Sequence, residues 1–302
     1  MKTITAFAPA HITGIFHVHR DPDPLKQGSR GAGVCLKLGV YTAVKAVKAL
    51  RWRVKIRINR KLAEAEVSRA VVKAFMNIAP EAYDLSIDHA VEVPIGAGYG
   101  SSGAGALSLA LALNEALKLD LSYIEAAQIA HIAEIECKTG LGTVLAETAG
   151  GVEVRVKPGA PGIGEVKQIP ARPNEKVVSV YLGPLSTRPF LEDEELQRRL
   201  DEISAPLMEK LLQNPTLENF LVLSRMFSDG LDLYTPRMVE SLKELNHNRL
   251  GVFSMNMFGD ALFTVVGADR LHEFLSNLER VRINPWRVIV SDVDYEGARL
   301  IG

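Results

Sequence analysis

An α+β fold is what this 302-residue chain predicts, and three observations carry the prediction. Strand-like and helix-like segments are mixed without the regular alternation that builds a parallel doubly wound sheet. The first third is rich in period-two strand patterns, whereas the stretch after residue 101 is Ala- and Leu-rich and helical in character. Between the two lies Pro94-Ile-Gly-Ala-Gly-Tyr-Gly-Ser-Ser-Gly-Ala-Gly105, a glycine-rich connector. The length allows one large core or two domains.

The elements follow in order. Strands are expected over Thr3–Ala8, Gly14–His19, Gly33–Leu38, Val40–Lys48 and Arg51–Asn59. The last of these alternates Val54, Ile56 and Ile58 with Arg53, Lys55 and Arg57. A helix over Ala63–Ile78 is stopped by Pro80. Strand 85–93 leads into the glycine segment, and helices are expected over 102–118 and 123–137. Ser122 and Glu125 have capping-box spacing at the start of the second. Lys138 to Val144 is expected to be a turn, and Val152–Lys157 a strand. Pro158 to Pro173 holds four prolines and three glycines, which marks the expected boundary between a domain at 1–165 and one at 166–302. Beyond it the patterns give strand Val177–Gly183, then helices Glu192–Leu212, 216–229 and 235–247. Strands 251–257 and 260–266, helix 268–280 and strand 286–291 complete the chain.

A strand, a glycine-rich loop and a helix in succession make an anion site. Glycines let the backbone approach a ligand, and the helix N-terminus favours negative charge. Ser101 and Ser102 place two hydroxyls where the helix begins, so a phosphate is the expected guest. A Walker A loop is excluded, because no lysine occurs between Lys73 and Lys118. A dinucleotide fingerprint fits Gly98, Gly100 and Gly103, with Asp120 near the distance of a ribose-binding acid. That reading needs a strand after the helix, and a second helix follows instead.

Composition narrows the remaining classes. The net charge of -1 gives no global field for nucleic acid or an anionic membrane. No apolar run is long enough to span a bilayer, and the N-terminus lacks a signal-peptide pattern. Cys35 and Cys137 are too few for a disulfide framework, so a reducing cytoplasm is the expected compartment. A homodimer is compatible with the sequence and not fixed by it.

The order Pro94, Gly98, Gly100, Ser101, Ser102, Gly103, Ala104 resembles the phosphate loop of the GHMP kinases, the superfamily of galactokinase, homoserine kinase and mevalonate kinase. Ala8-Pro9-Ala10 is similar to an early segment of that superfamily. Ser254-Met-Asn-Met-Phe-Gly-Asp260 stands where a third glycine-containing segment is expected, with only Gly259 in it. Within the superfamily the chain is similar to archaeal pantoate kinases, through Ala8 to Phe16, Gly28-Ser-Arg-Gly-Ala-Gly33 and the Ser101 to Gly105 variant of the loop. The resemblance covers most of the first 160 residues. It implies a two-domain α+β fold, with an N-terminal phosphate-loop domain and a ferredoxin-like C-terminal domain. It also implies an ATP- and Mg²⁺-dependent kinase acting on the primary hydroxyl of pantoate, or on a homoserine- or mevalonate-type acceptor.

Site residues are then expected as follows. Pro94, Gly96, Gly98, Gly100, Ser101, Ser102, Gly103 and Ala104 form the nucleotide cradle. Ala127, His131, Glu134 and Lys138 share one helix stripe, and the family's acid near this point singles out Glu134, rather than Glu136, for the metal. A hydroxyl of Ser101 or Ser102 completes its shell; helix capping is their plainer use. Ser102 and Thr143 join Glu134 as catalytic candidates. Thr143 falls where many relatives carry an aspartate base, and a threonine cannot act as one at neutral pH. Either the transfer needs no base, or Thr143 stands in place of a catalytic acid and the chain is impaired, in which case Thr143→Asp would raise turnover. Arg155 is suited to gripping a carboxylate bidentately, with His131 as a second donor; otherwise it faces solvent on its strand. Ser29 and Arg30 lie in a short polar segment that suits a loop over a small acid, or an ordinary hairpin turn.

One rival from another class is a metal-dependent hydrolase. His17 and His19 share a strand face, with Asp21 and Asp23 following, a spacing seen in metal sites. That reading lacks a second paired motif and leaves the glycine loop without a purpose. A binding protein of the same fold, without catalysis, rests only on Thr143.

Overall fold

A computed structural model of the protein describes residues 2–170, 174–183, 194–285 and 287–302. The end of the proline-rich stretch (171–173), the start of the helix expected from Glu192 and the strand start at Trp286 lie outside the described residues. The described elements run β1 (Ile4–His19), β2 (Gly28–Ala49), β3 (Arg53–Ile58), β4 (Lys61–Leu62), α1 (Glu66–Ile78) and β5 (Ala82–Val91). Then come α2 (Ser101–Leu117), α3 (Tyr123–Glu136), α4 (Thr143–Ala149), β6 (Val152–Lys157), β7 (Glu165–Gln168) and β8 (Glu175–Gly183). The chain closes with α5 (Glu194–Gln213), α6 (Leu217–Leu231), α7 (Pro236–His247), β9 (Ser254–Met255), β10 (Asp260–Gly267), α8 (Leu271–Glu279), β11 (Arg287–Asp292) and β12 (Arg299–Ile301).

An eight-stranded sheet has the order β12-β1-β2-β5-β3-β4, with β6 joined to β2 and β7 joined to β6. Its spine is the antiparallel pair β1–β2, in register from Ile4 opposite Val44 to His19 opposite Gly28. The four strands expected there are two long ones. Each interruption in the pattern is a register shift, at Pro9/Ala10 and at Thr13/Ile15, where a residue without an amide proton and a glycine bend the ladder without ending it. Gly14 also lets α6 lie close, since a Cβ there would collide with Ser224.

Helices α1, α2 and α3 cover part of this sheet around Val71, Phe75, Leu107 and Leu111. Helix α2 is apolar nearly all round because it is sandwiched, with Leu107, Leu109, Leu111 and Leu113 all buried. The capping box expected for α3 is present, with the Ser122 hydroxyl accepting from the Glu125 amide and the Glu125 carboxylate from the Ser122 amide. Helix α4 was not expected. It has only seven residues, and the burial of Val144, Leu145 and Ala146 stabilises it more than its own propensity does.

The second sheet has the order β11-β8-β10-β9, all antiparallel. Its first and third strands are central, and α8 connects the third to the fourth, which is the ferredoxin-like arrangement. Strand 251–257 shortens to Ser254–Met255 because the chain turns at Asn256. One continuous core runs from Ile12, Ile15 and Phe16 on β1 to Phe220 and Phe227 on α6 and Phe263 on β10. Among the described residues no helix is long and apolar enough to cross a membrane.

Candidate active site

The glycine loop ends at the first residue of α2, and its backbone explains its composition. Gly96, Gly98 and Gly100 have φ of 72°, 76° and 62°, the left-handed region in which a side chain is strained. The loop is clamped from several sides. A Cβ on Gly100 would lie 2.6 Å from the Thr143 methyl, and one on Gly98 would lie 2.9 Å from the Met257 carbonyl. A Cβ on Gly259 would collide with the Ala97 carbonyl, so the degenerate glycine segment of the C-terminal half packs directly on the loop. The Tyr99 carbonyl accepts from the His11 amide at 3.0 Å.

The N-terminus of α2 opens into a cavity of about 280 Å³ whose wall includes Gly96, Gly98, Gly100, Ser101 and Ser102. Glu134 reaches this cavity from α3. Its carboxylate accepts from the Ser102 hydroxyl, and from the Thr139 hydroxyl at 2.6 Å. Burial raises its pKa, against the lowering effect of those two hydrogen bonds. Gly140 makes room for it, as a Cβ there would strike the carboxylate. Glu136, the other acid considered, is exposed. A carboxylate with two hydroxyls beside a phosphate cradle is the hard-oxygen donor set that suits Mg²⁺.

Thr143 starts α4 and lines the same cavity. One helical turn on, Glu147 is fully buried, and neither carboxylate oxygen has a hydrogen-bond partner. Its oxygens lie 2.9 and 3.0 Å from where Cβ atoms of Gly100 and Gly103 would be. The amide of Ala104 is nearby but bonded to the Gly100 carbonyl. Burial first, and the Glu134 charge second, push the Glu147 carboxyl well above the ordinary range. This second carboxyl under the loop was missed. Its only signal is the i, i+4 spacing from Thr143, which counts only once that segment is known to be a helix.

Another part of the wall carries a buried polar cluster. Arg155 donates to Glu153 at 2.6 Å, and His11 Nε2 donates to the same oxygen at 2.9 Å. His11 Nδ1 lies 3.2 Å from the Thr13 hydroxyl. All three ionisable side chains are buried. Gly31 and Gly33 make the cluster possible: a Cβ on Gly31 would lie 2.7 Å from Arg155 Nη2, and one on Gly33 would collide with the His11 ring. The segment Gly28 to Gly33 is thus part of β2 and not a flexible loop or hairpin turn. Ser29 is buried in the cavity wall with Arg155. The Arg155 Nε–H has no partner and lies with the Ser29 hydroxyl against Gly142. A buried donor left unpaired costs about 1–3 kcal/mol, which a ligand carboxylate would offset. Arg155 does not face solvent because both faces of β6 are covered. His11 and Glu153 were missed as site residues; His11 stood in the quoted Ala8 to Phe16 segment without a role.

The other expected contacts lie elsewhere. His131 is buried on α3 and shares its Nε2–H between the carbonyls of Pro24 and Gln27, at 3.1 and 3.0 Å. It anchors the 20–27 segment and is absent from the cavity wall. Arg30 is half-buried and also outside that wall. His17 pairs with Asp201 at 3.2 Å, and His19 is exposed. Among the described residues no three His, Cys, Asp or Glu side chains converge on a metal-binding geometry, so the hydrolase reading lacks its ligand set.

A second cavity of about 240 Å³ adjoins the loop and shares Ile95, Ser101, Ser102 and Thr139 with the first. Val40, Ile58 and Val91 make it largely apolar. His89 borders it, held between Thr42 at 2.7 Å and Ser68 at 3.1 Å. Burial lowers the His89 pKa to about 4.

Residues 65–151 match the family model of the GHMP kinases N terminal domain. Over 282 residues the chain is 34% identical to a pantoate kinase of Thermococcus kodakarensis, covering 91% of this chain and 92% of that protein. A pantoate kinase of Methanocaldococcus jannaschii is 32% identical over 273 residues, with 90% and 96% covered. Among solved structures, a phosphotransferase related to the CoA biosynthesis pathway superposes with a TM-score of 0.88 at 30% identity, covering 99% of each chain. Mevalonate diphosphate decarboxylase from Staphylococcus aureus, at 16% identity and a TM-score of 0.75, shares the fold. Kinship spread over nine-tenths of the sequence, with the glycine loop seated on a helix N-terminus, places the chain in the pantoate kinase family of the GHMP kinases.

Proposed function

We propose that this chain is an ATP- and Mg²⁺-dependent kinase that phosphorylates the primary hydroxyl of pantoate, giving 4-phosphopantoate for coenzyme A synthesis. One observation carries the reading: a single cavity is bounded by a phosphate-type cradle, Gly96 to Ser102, and by two donors suited to a carboxylate, Ser29 and Arg155. A small hydroxy acid spanning that cavity would present its far hydroxyl to the γ-phosphate.

The apolar second cavity suits the nucleobase, on the other side of Ser101 and Ser102. The amides at the start of α2 would hold the triphosphate, and the helix dipole favours its charge. Glu134 and a hydroxyl of Ser101 or Ser102 would hold Mg²⁺. The ion supplies charge neutralisation for a transfer that asks the protein mainly for positioning. Arg155, oriented by Glu153, and Ser29 would bind the acceptor carboxylate, and the Thr143 hydroxyl would orient the acceptor hydroxyl. Residues 1–165 are read as the nucleotide-binding domain, whose sheet also takes in β7 to Gln168 and β12, and 166–302 as the second domain, which lends Met257 and Phe258 to the cavity. Cys35 and Cys137 are thiols and not disulfide-bonded, which fits a reducing cytoplasm.

The experiment is ADP release by purified protein with ATP and Mg²⁺ against pantoate, homoserine and mevalonate in separate reactions. Turnover with pantoate alone supports the reading. Turnover with another acceptor alone would replace it.

A further inference from the structure

Phe258 holds a backbone conformation that bulky residues avoid, with φ at +60°. It is the third residue of a turn closed by the Gly259 amide donating to the Asn256 carbonyl at 2.8 Å. Turns with positive φ at that position ordinarily give it to glycine or asparagine. The neighbouring glycine has its own task, because Gly259 is where the turn meets the Ala97 carbonyl. A phenylalanine therefore stands at the strained position while the glycine lies one residue on. Strain of this kind persists where the surroundings fix it, and it gathers at ligand clamps.

The surroundings here are specific. The Phe258 ring meets Phe16 edge to face, with centroids 5.2 Å apart and planes at 75°. The Met257 amide donates to the Thr13 carbonyl at 3.2 Å, so β1 holds the turn in place. Phe16, Met257 and Phe258 all line the cavity that carries Arg155, Ser29 and Glu134. Phosphate binding and carboxylate binding make no use of an aromatic pair. A branched carbon skeleton does.

We propose that Phe16, Met257 and Phe258 select the acceptor by its quaternary carbon, with Phe258 the specificity-determining residue. The inference rests on the pantoate reading above. Pantoate has a carboxylate, a 2-hydroxyl and a primary 4-hydroxyl, with two methyl groups on the carbon between the two hydroxyl-bearing ones. Its straight-chain counterpart, 2,4-dihydroxybutanoate, keeps every polar group and lacks only those methyls. The polar subsites cannot tell the two apart, so discrimination falls to the apolar wall. One buried carbon group in such a pocket is worth roughly 10- to 200-fold in kcat/KM.

The test measures kcat/KM for both acids with the wild-type chain, Phe258→Ala and Phe258→Leu. The wild type is expected to prefer pantoate by about tenfold or more. Phe258→Ala should lower kcat/KM for pantoate far more than for the straight-chain acid, so that the preference collapses. Phe258→Leu should keep part of it. If the alanine variant folds poorly, Phe258→Gly carries the same test, because glycine accepts the positive φ without strain. Equal losses on both acids, or an unmoved preference, would overturn the proposal. A wild-type chain that does not turn over pantoate would instead overturn the reading on which it rests.

Discussion

The Tyr99 and Ser179 hydroxyls lie 2.7 Å apart in the core and join the phosphate loop to β8 of the second sheet. Burial raises the Tyr99 pKa to about 12, so the phenol stays protonated throughout the working range. The loop is therefore tied to both sheets. Tyr99→Phe removes one buried hydrogen bond and leaves Ser179 its bond to the Leu262 carbonyl at 3.0 Å. A stability loss of about 1 kcal/mol is expected, with a rise in the KM for ATP. Thermal unfolding and steady-state kinetics read the two effects separately.

Gly100→Val should abolish nucleotide binding. The substitution adds a β-branched side chain at φ 62°, against the Thr143 methyl and Glu147. The sequence alone leaves the fold untouched by this change, whereas the packing adds a local stability cost. Calorimetric titration with ATP, beside circular dichroism, checks both. Wild-type affinity in a folded variant would count against the loop.

Glu134→Gln keeps the shape and removes the charge. Turnover should fall on the order of a hundredfold if the metal carries the charge neutralisation. Because burial raises the Glu134 pKa in the metal-free site, the acid limb of kcat/KM for Mg²⁺-ATP, which reports the free enzyme, should lie at that raised value and disappear in the variant. Near-normal turnover at ordinary Mg²⁺ would move the assignment to another carboxylate.

Glu147 predicts a pH dependence of stability. Its folded pKa is raised above the unfolded value, so the native state holds its proton longer than the unfolded chain does. The carboxyl therefore costs stability progressively as pH rises from the ordinary carboxylate value to the raised one. Glutamine does not titrate. The Tm of Glu147→Gln minus that of the wild type should grow across that window and then level off. A difference that stays flat with pH would show that the group does not titrate as its burial requires.

Thr143→Asp separates two accounts of the transfer. Sequence alone favours a gain, since a positioned base contributes about 10²- to 10⁴-fold. The structure places Thr143 between two buried carboxyls, Glu134 by way of Gly140 and Glu147 by way of Gly100. A carboxylate at 143 adds like charge beside Glu134. Turnover near neutral pH is therefore expected to fall. A clear gain in the variant would show that position 143 takes a base.

Much of this was legible in the sequence because it depends on local pattern. The glycine loop, the helix it opens and Glu134 on the next helix are written in local sequence, and all three meet in one cavity. What was not legible depends on distant pairing. The long β1–β2 pair hides behind Pro9 and Gly14, which look like strand ends. Gly31 and Gly33 look like a flexible loop because their role, making room for Arg155 and His11, exists only after β1, β2 and β6 align. His131 has the right neighbours in sequence, yet its ring is taken up by backbone carbonyls. Glu147 sits in a helix too short to announce itself.

The most direct test is ADP release by the wild-type chain with ATP and Mg²⁺, comparing pantoate with no acceptor, and detecting 4-phosphopantoate in the same samples. The account predicts ADP formation that requires pantoate and matches 4-phosphopantoate mole for mole. ADP release indifferent to pantoate, or no phosphorylated acid, would contradict it.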